Sequence, residues 1–415
     1  MTPPVQPGRD LPRLTSLRFF AALLIVLFHA RLHHFVPQGQ FFDVAHMGVA
    51  FFFVLSGFVL AWASQGRRVE PRRFWVNRFA RVYPSHLVTM LIAVILIPPA
   101  TWGDLALNTL LLQAWSPHQA TALALNAVAW SLSAEAFFYL LAPWLITAAR
   151  RLPERHLVLA AGAWWLTTIV AGRMLVVVAG TEEWPYYLPL LRSSEFLIGI
   201  VLAELFRRGR LRVRPPMWLA LLACLGSYLV ALAVYRGGVT MQTVPAVITL
   251  PAIVLLVVSA AQADVQGRGG LLASPALQHA GRVSFALYLT HYLVLAVLPA
   301  RLPVPRGALE GLAYLALTLL ISWVCAEALH RGVELPAQRA IRAAVGPRRT
   351  QPPAAAKAGQ PAAPALGEAL TQAAGSLPIN SEVPPPGENQ APGSAPINSR
   401  VPAPGGAQAR DTAQA

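Results

Sequence analysis

The sequence predicts an all-α polytopic membrane protein, a bundle of about ten transmembrane helices with both termini in the cytoplasm and a disordered C-terminal tail. Of the 415 residues, 55% are hydrophobic and only 12% are charged, whereas soluble domains carry about a quarter charged residues. The mean hydropathy is +0.51. These values, together with apolar runs of bilayer-spanning length, argue against an ordinary soluble chain.

Ten apolar segments approach the length of about 20 residues that a helix needs to cross a bilayer. The predicted spans are 14–32, 47–65, 84–99, 125–149, 157–179, 186–205, 217–234, 243–261, 282–299 and 309–328. The third is short, because it starts at Pro84 and ends at Pro98-Pro99. The first follows basic residues but is followed by no small-residue cleavage site, so we interpret it as a retained anchor.

The net charge of +15 raises the possibility of a nucleic-acid partner, so the position of the arginines matters. They concentrate in alternate loops, in 67–81, 150–155 and 207–214, while the loop 100–124 has no cation. This is the positive-inside pattern, which places these loops and both termini in the cytoplasm. Topology therefore explains the charge. We expect a multi-pass protein of the cell (inner) membrane, in contact with the lipid bilayer and with no nucleic-acid partner.

Composition divides the chain into three parts. Residues 1–12 form a short cytoplasmic lead, and 13–345 form one membrane domain. From 346 to 415 the chain is rich in Pro, Ala and Gly, and "SLPINSEVPPPG" recurs as "SAPINSRVPAPG". This repeat is too short and too proline-rich to build a core, which predicts a disordered tail.

Polar residues at membrane depth are expensive and often functional. Arg18 and His29 lie 11 residues apart in the first span, almost three helical turns, so they share a face about 16 Å apart along the axis. The alternative is a boundary arginine and a histidine that reaches outward to water.

Further polar groups lie in later spans. Ser131, Glu135 and Tyr139 share one face of the fourth span, with Glu135 near mid-bilayer. A structural carboxylate satisfied by one neighbouring arginine is the alternative there. Arg192 and Glu195 can pair within the sixth helix and serve packing alone. The ninth span carries Tyr288 and His291, and a single buried histidine is often only structural.

Arg78 and Arg81 share a face where the third helix begins. Two guanidinium groups beside free backbone N–H groups can bind a phosphate, although positive-inside charge also explains arginines here. Together, the polar groups suggest a basic phosphate site on the cytoplasmic side, a polar track through the membrane, and a histidine with a carboxylate partner towards the outer side. We expect no metal site and no bound cofactor.

Seven segments in order resemble motifs of the acyltransferase 3 family of membrane O-acyltransferases. They are "LRFFAALLIVLFH", "GVAFFFVLSGF", "RFARVYP", "WSLSAEAFFYLLAP", "RSSEFLIG", "GRVSFALYLTHY" and "VELPAQR", the last through Glu334 and Pro336. The similarity covers about residues 13–340. One departure is Ala50, which stands where many members carry an acidic residue; if that acid is needed, Glu135 or Asp43 would have to serve.

The resemblance implies transfer of an acyl group, usually acetyl from acetyl-CoA or another acyl-CoA co-substrate, to a hydroxyl of a carbohydrate, cell-envelope glycan or small glycoside. Arg78 and Arg81 would bind the CoA phosphates, with Arg18 helping to hold the donor. His29 would be the general base or carry the acyl group briefly, and Glu135 would fix its tautomer or stabilise its cation.

Two other functions remain open at this point. A transporter or flippase of a lipid-linked or small substrate also needs polar groups at mid-membrane, but it usually shows internal repeats and helices broken near the midplane, which this sequence lacks. A scaffold acting through the proline-rich tail would lose its function if residues 350–415 were deleted.

Overall fold

The computed structural model describes residues 10–33, 35, 40–65, 68–97, 99, 101–181, 183–211, 215–238 and 243–346. Within these ranges every regular element is helical, and they belong to one compact unit. The predicted disordered tail lies outside the described residues from 347 onward, as do most of the lead and parts of two arginine-rich segments, 66–67 and 212–214.

Fourteen α-helices follow one another in the described part of the chain. They are α1 (Pro12–Leu32), α2 (Gly48–Ala63), α3 (Pro71–Leu96), α4 (Trp102–Thr109), α5 (Gln119–Ala122), α6 (Trp130–Arg151), α7 (Glu154–Ala179), α8 (Glu183–Tyr187), α9 (Pro189–Arg207), α10 (Met217–Arg236), α11 (Thr243–Val265), α12 (Pro275–Val297), α13 (Ala308–Leu329) and α14 (Leu335–Ala344). A π-helical turn, His330–Glu334, joins α13 to α14.

Nine of the described helices are long and apolar enough to cross a membrane: α1, α2, α3, α6, α7, α10, α11, α12 and α13 with its extension. The sequence predicted about ten. The difference is α9, which forms as a helix of 19 residues but carries four charged residues. These are Arg192, Glu195, Glu204 and Arg207. The count of apolar spans is therefore lower, although a helix is present at every predicted position.

Helix α3 differs most from its predicted span. It begins at Pro71 rather than at Pro84 and runs for 26 residues. Proline is favoured at the first helical position, because its missing N–H is not needed there. Pro84 removes one internal hydrogen bond, but the helix continues through it. Arg78 and Arg81, which the sequence placed where the third helix begins, therefore lie about two to three turns inside it.

Three glycines allow helices to approach closely at the centre of the bundle. A Cβ on Gly57 of α2 would overlap the Phe196 carbonyl oxygen of α9, and one on Gly199 of α9 would overlap the Val54 carbonyl oxygen. A Cβ on Gly281 of α12 would overlap the Thr15 carbonyl oxygen of α1. Small residues that bring backbones together are typical of helix packing in membranes. The α1–α12 contact is the one that positions the site.

Replacing Gly281 by alanine should lower the free energy of unfolding by about 1–3 kcal/mol, because the added methyl group meets backbone atoms that cannot rotate away. Thermal unfolding of purified protein in detergent would measure the change. The matched control is Gly226→Ala in α10, where an added Cβ meets no atom within 4 Å. That variant should be as stable as wild type or slightly more stable. Equal melting temperatures for both variants would contradict the predicted close approach.

Candidate active site

A cavity of about 520 Å³ lies between α1, α2, α3, α6 and α12. Seven of the residues that the sequence singled out line it together: Arg18, Arg78, Arg81, Ser131, Glu135, Tyr139 and Tyr288. Its other walls are largely apolar and include Phe52, Phe53 and Phe285. A volume between about 300 and 1,000 Å³ with a few convergent polar groups is typical of a small-molecule site. Residues that helical spacing singled out on separate helices thus line one cavity.

Inside this cavity, Glu135 is held by a short hydrogen-bond chain. The Tyr139 hydroxyl donates to Glu135 Oε2 at 2.8 Å, and Ser56 Oγ lies 3.2 Å from the Tyr139 oxygen, so Ser56 donates to Tyr139. Glu135 also interacts electrostatically with Arg18, Arg78 and Arg81. Ser56 was not among the residues predicted from the sequence. It is a polar residue inside the otherwise apolar segment "FFFVLSGF", and this is the feature that could have indicated it.

The two arginines of α3 have different surroundings. Arg81 forms an ion pair with Glu334, which is fully buried. Glu334 also accepts hydrogen bonds from His330 Nδ1 at 2.8 Å and from Gln338 Nε2 at 3.1 Å. Within the described part of the chain, Arg18 and Arg78 form no ion pair. Three guanidinium groups therefore lie at a cavity that Asp10 and Glu135 also line, with Glu334 paired to one of the three.

The two arginines of the predicted phosphate site therefore have different partners. Both line the cavity, but Arg81 is paired with Glu334, whereas Arg78 forms no ion pair in the described part of the chain. Sequence reasoning noted Glu334 only through the resemblance, and it gave Glu334 no partner. Periodicity could not supply one, because the two residues are separated by 253 positions.

His29 lies away from this cavity and its partner is a second histidine. His291 Nε2 lies 3.2 Å from His29 Nδ1, and His29 Nδ1 lies 2.9 Å from the Ile25 carbonyl oxygen. The predicted contact between His29 and Glu135 is not formed. The physical reason is that α12, not α6, packs against α1 through Gly281. His291 therefore occupies the place in which sequence reasoning had put the carboxylate.

Tyr288 connects the cavity to the histidine pair. Its side chain lines the cavity, and its ring centroid lies 5.9 Å from that of His291. The Tyr288 hydroxyl lies 2.8 Å from Ser131 Oγ and donates to the Val128 carbonyl oxygen at 2.9 Å. Polar side chains thus extend from the cavity through Tyr288 to His291 and His29.

Arg192 and Glu195 do not belong to this track. They are paired within α9, with Nη2 and Oε1 3.0 Å apart. The Arg192 guanidinium also lies over the rings of Phe53, Trp130 and Tyr186, at 5.4, 5.9 and 4.9 Å. Both side chains are buried, but neither lines the cavity. The pair packs against an aromatic wall beside the cavity, the arrangement that the sequence offered as the alternative to a functional role. Asp43, the other carboxylate considered for catalysis, lies 3.5 Å from Arg31.

Comparison with known proteins decides the family. A family model described as an acyltransferase domain, Acyl_transf_3, matches residues 11–327. The chain belongs to the acyltransferase 3 family. It is 33% identical over 381 residues to the acyltransferase MdmB of Streptomyces mycarofaciens, covering 80% of this chain and 92% of that protein. No solved structure matches.

Two more distant relatives of this acyltransferase have named roles. The exopolysaccharide production protein ExoZ of Rhizobium meliloti (strain 1021) is 26% identical over 294 residues, 68% of this chain and 86% of ExoZ. The putative peptidoglycan O-acetyltransferase YrhL of Bacillus subtilis (strain 168) is 25% identical over 374 residues, 80% of this chain and 55% of YrhL. The family identifies the chain as a multi-pass membrane enzyme, an O-acyltransferase, and does not favour the transporter interpretation.

Proposed function

We propose that this O-acyltransferase moves an acyl group, most simply acetyl, from acyl-CoA to a hydroxyl of a carbohydrate, cell-envelope glycan or small glycoside in the cell (inner) membrane. The observation that carries the proposal is the arginine-bearing cavity, whose lining includes Tyr288, next to the His291–His29 pair. The names of ExoZ and YrhL support a glycan acceptor, and the positive-inside pattern supports a cytoplasmic donor side.

The donor would enter from the arginine-bearing end of the cavity. Arg18 and Arg78 line it and form no ion pair with any described residue. Guanidinium groups bind phosphate oxygens well because they offer paired N–H donors. Arg81, neutralised by Glu334, would fix the shape of the site rather than hold a phosphate itself. The narrow pantetheine arm of acyl-CoA would then extend along the cavity, with its thioester towards Tyr288.

In the reaction, His29 would remove the proton from the acceptor hydroxyl as the oxygen attacks the thioester carbonyl carbon. The new C–O bond forms, the C–S bond breaks, and the CoA thiolate leaves. The thiolate then takes the proton back from His29, so the enzyme ends the cycle unchanged. A histidine suits this step because its ordinary pKa lies near neutrality, and such base catalysis is typically worth 10²–10⁴-fold.

The direct test is transfer or slow hydrolysis of radiolabelled acetyl-CoA by purified protein in liposomes, with a small glycoside as acceptor. Wild type should release or transfer label faster than the same liposomes carrying His29→Ala. If wild-type protein neither binds acetyl-CoA nor turns it over, the proposed donor is wrong.

Replacing Arg78 by alanine should weaken acetyl-CoA binding by about 10- to 100-fold, the effect expected for losing one charged hydrogen bond to phosphate. Titration of labelled acetyl-CoA onto detergent-solubilised protein would measure the dissociation constant, and KM should rise with it. Arg72→Ala is the matched control, because Arg72 lies on the same helix and is exposed. Equal weakening by both variants would indicate general surface charge rather than a donor site.

A further inference from the structure

The two histidines at the α1–α12 contact determine each other's protonation. His291 is fully buried and His29 is half-buried. His29 Nδ1 has two neighbours, the Ile25 carbonyl oxygen at 2.9 Å and His291 Nε2 at 3.2 Å. His291 Nδ1 lies 3.1 Å from the Leu287 carbonyl oxygen. Both carbonyl groups belong to the same helix as their histidine, four residues earlier.

These contacts select one tautomer for each neutral ring. A carbonyl oxygen can only accept a hydrogen bond, so both Nδ1 atoms must carry the proton. His291 Nε2 is then a lone pair, and it accepts from the His29 Nδ1–H that is shared with Ile25. The opposite tautomers would place each carbonyl oxygen against a nitrogen lone pair. His29 Nε2 is therefore the unprotonated nitrogen, the one able to accept a proton from a substrate.

We propose that His291 is a positioning residue that holds His29 in its Nδ1–H tautomer and stabilises its cation after proton transfer. This rests on the proposed function of His29 as base. When Nε2 takes up a proton, the positive charge on the ring strengthens the bond from Nδ1–H to the neutral His291 acceptor. The pair performs the orienting task that a carboxylate performs in other histidine-dependent enzymes.

Three variants of residue 291 separate a positioning role from a structural one. His291→Leu removes the acceptor and should lower kcat by roughly 10²-fold, less than the loss seen when a carboxylate partner is replaced. His291→Gln can place its side-chain oxygen near the former position of Nε2, so its kcat should be at least tenfold higher than that of His291→Leu. His291→Asn is too short to reach His29 and should remain as slow as the leucine variant. Acetyl-CoA binding should be unchanged in all three.

Two measurements make the proposal independent of folding and of the donor. Because His291 acts through His29, the double variant His29→Ala/His291→Leu should be no slower than His29→Ala alone; additive losses would overturn the proposal.

Nitrogen-15 NMR of histidine-labelled protein, with the His29 signal assigned by its absence in His29→Ala, should show the Nδ1–H tautomer of His29 in wild type and a mixture of tautomers in His291→Leu. An Nε2–H tautomer in wild type would also overturn it. An enzyme inactive with acetyl-CoA but showing the Nδ1–H tautomer would refute the proposed donor, not the pairing.

Discussion

Replacing His29 by alanine should lower the rate of acyl transfer by about 10³-fold, within the 10²–10⁴-fold range of general base catalysis. Without the imidazole, a hydroxyl must attack the thioester while it still holds its proton. Because His29 lies outside the cavity that we assign to the donor, the dissociation constant for acetyl-CoA should stay within about twofold of wild type. The loss should therefore fall on kcat and leave donor binding intact.

The matched control is His156→Ala, which removes an exposed histidine near the start of α7 and should keep wild-type turnover. Steady-state transfer of label to a glycoside, together with equilibrium binding of acetyl-CoA, measures both quantities. A His29→Ala enzyme that keeps more than a tenth of the wild-type kcat would show that another group accepts the proton. A parallel loss of donor binding would place His29 in the donor site instead.

Most of the candidate site could be found on single helices, because helical periodicity reports which residues share a face. Ser131, Glu135 and Tyr139 were placed on one face of a span, and all three line the cavity. What periodicity cannot report is which helix lies opposite. The partner of His29 depends on α12 approaching α1 through Gly281, a contact between residues more than 260 positions apart.

Helix boundaries and charge also limited the prediction. A search for apolar runs finds the part of α3 that follows Pro84, but the first 13 residues of this helix are rich in arginine and aromatic residues. Four charged residues likewise make α9 too polar to be counted among the apolar membrane-spanning helices. In both helices some of the charged side chains interact with partners from elsewhere in the fold or on the same helix, which a hydropathy average cannot detect. Arg81 pairs with Glu334, and Arg192 pairs with Glu195 and lies over three aromatic rings.

The interaction of Arg81 with Glu334 should be the largest single electrostatic contribution to the stability of the site. Glu334 is fully buried and accepts from Arg81, His330 and Gln338, so its loss leaves three donors without an acceptor. Removing one partner of a buried ion pair typically costs 3–5 kcal/mol. We therefore expect Glu334→Ala to lower the free energy of unfolding by about 4 kcal/mol, seen as a fall in melting temperature in detergent.

The same ion pair connects the stability of α14 to the donor site, because Arg81 lines the cavity and Glu334 directly precedes α14. The double variant Arg81→Gln/Glu334→Gln should recover part of the loss, since it removes both charges and keeps groups that can hydrogen-bond each other. Glu327→Gln is the matched control: this carboxylate is more exposed than Glu334 and pairs with His279 and the exposed side chain of Arg331, so its loss should cost less than about 1 kcal/mol. Additive effects of the two single changes at Arg81 and Glu334 would mean that the pair is not coupled. The positive charge of Arg81 would then be free to bind a phosphate alongside Arg78, as the sequence first suggested.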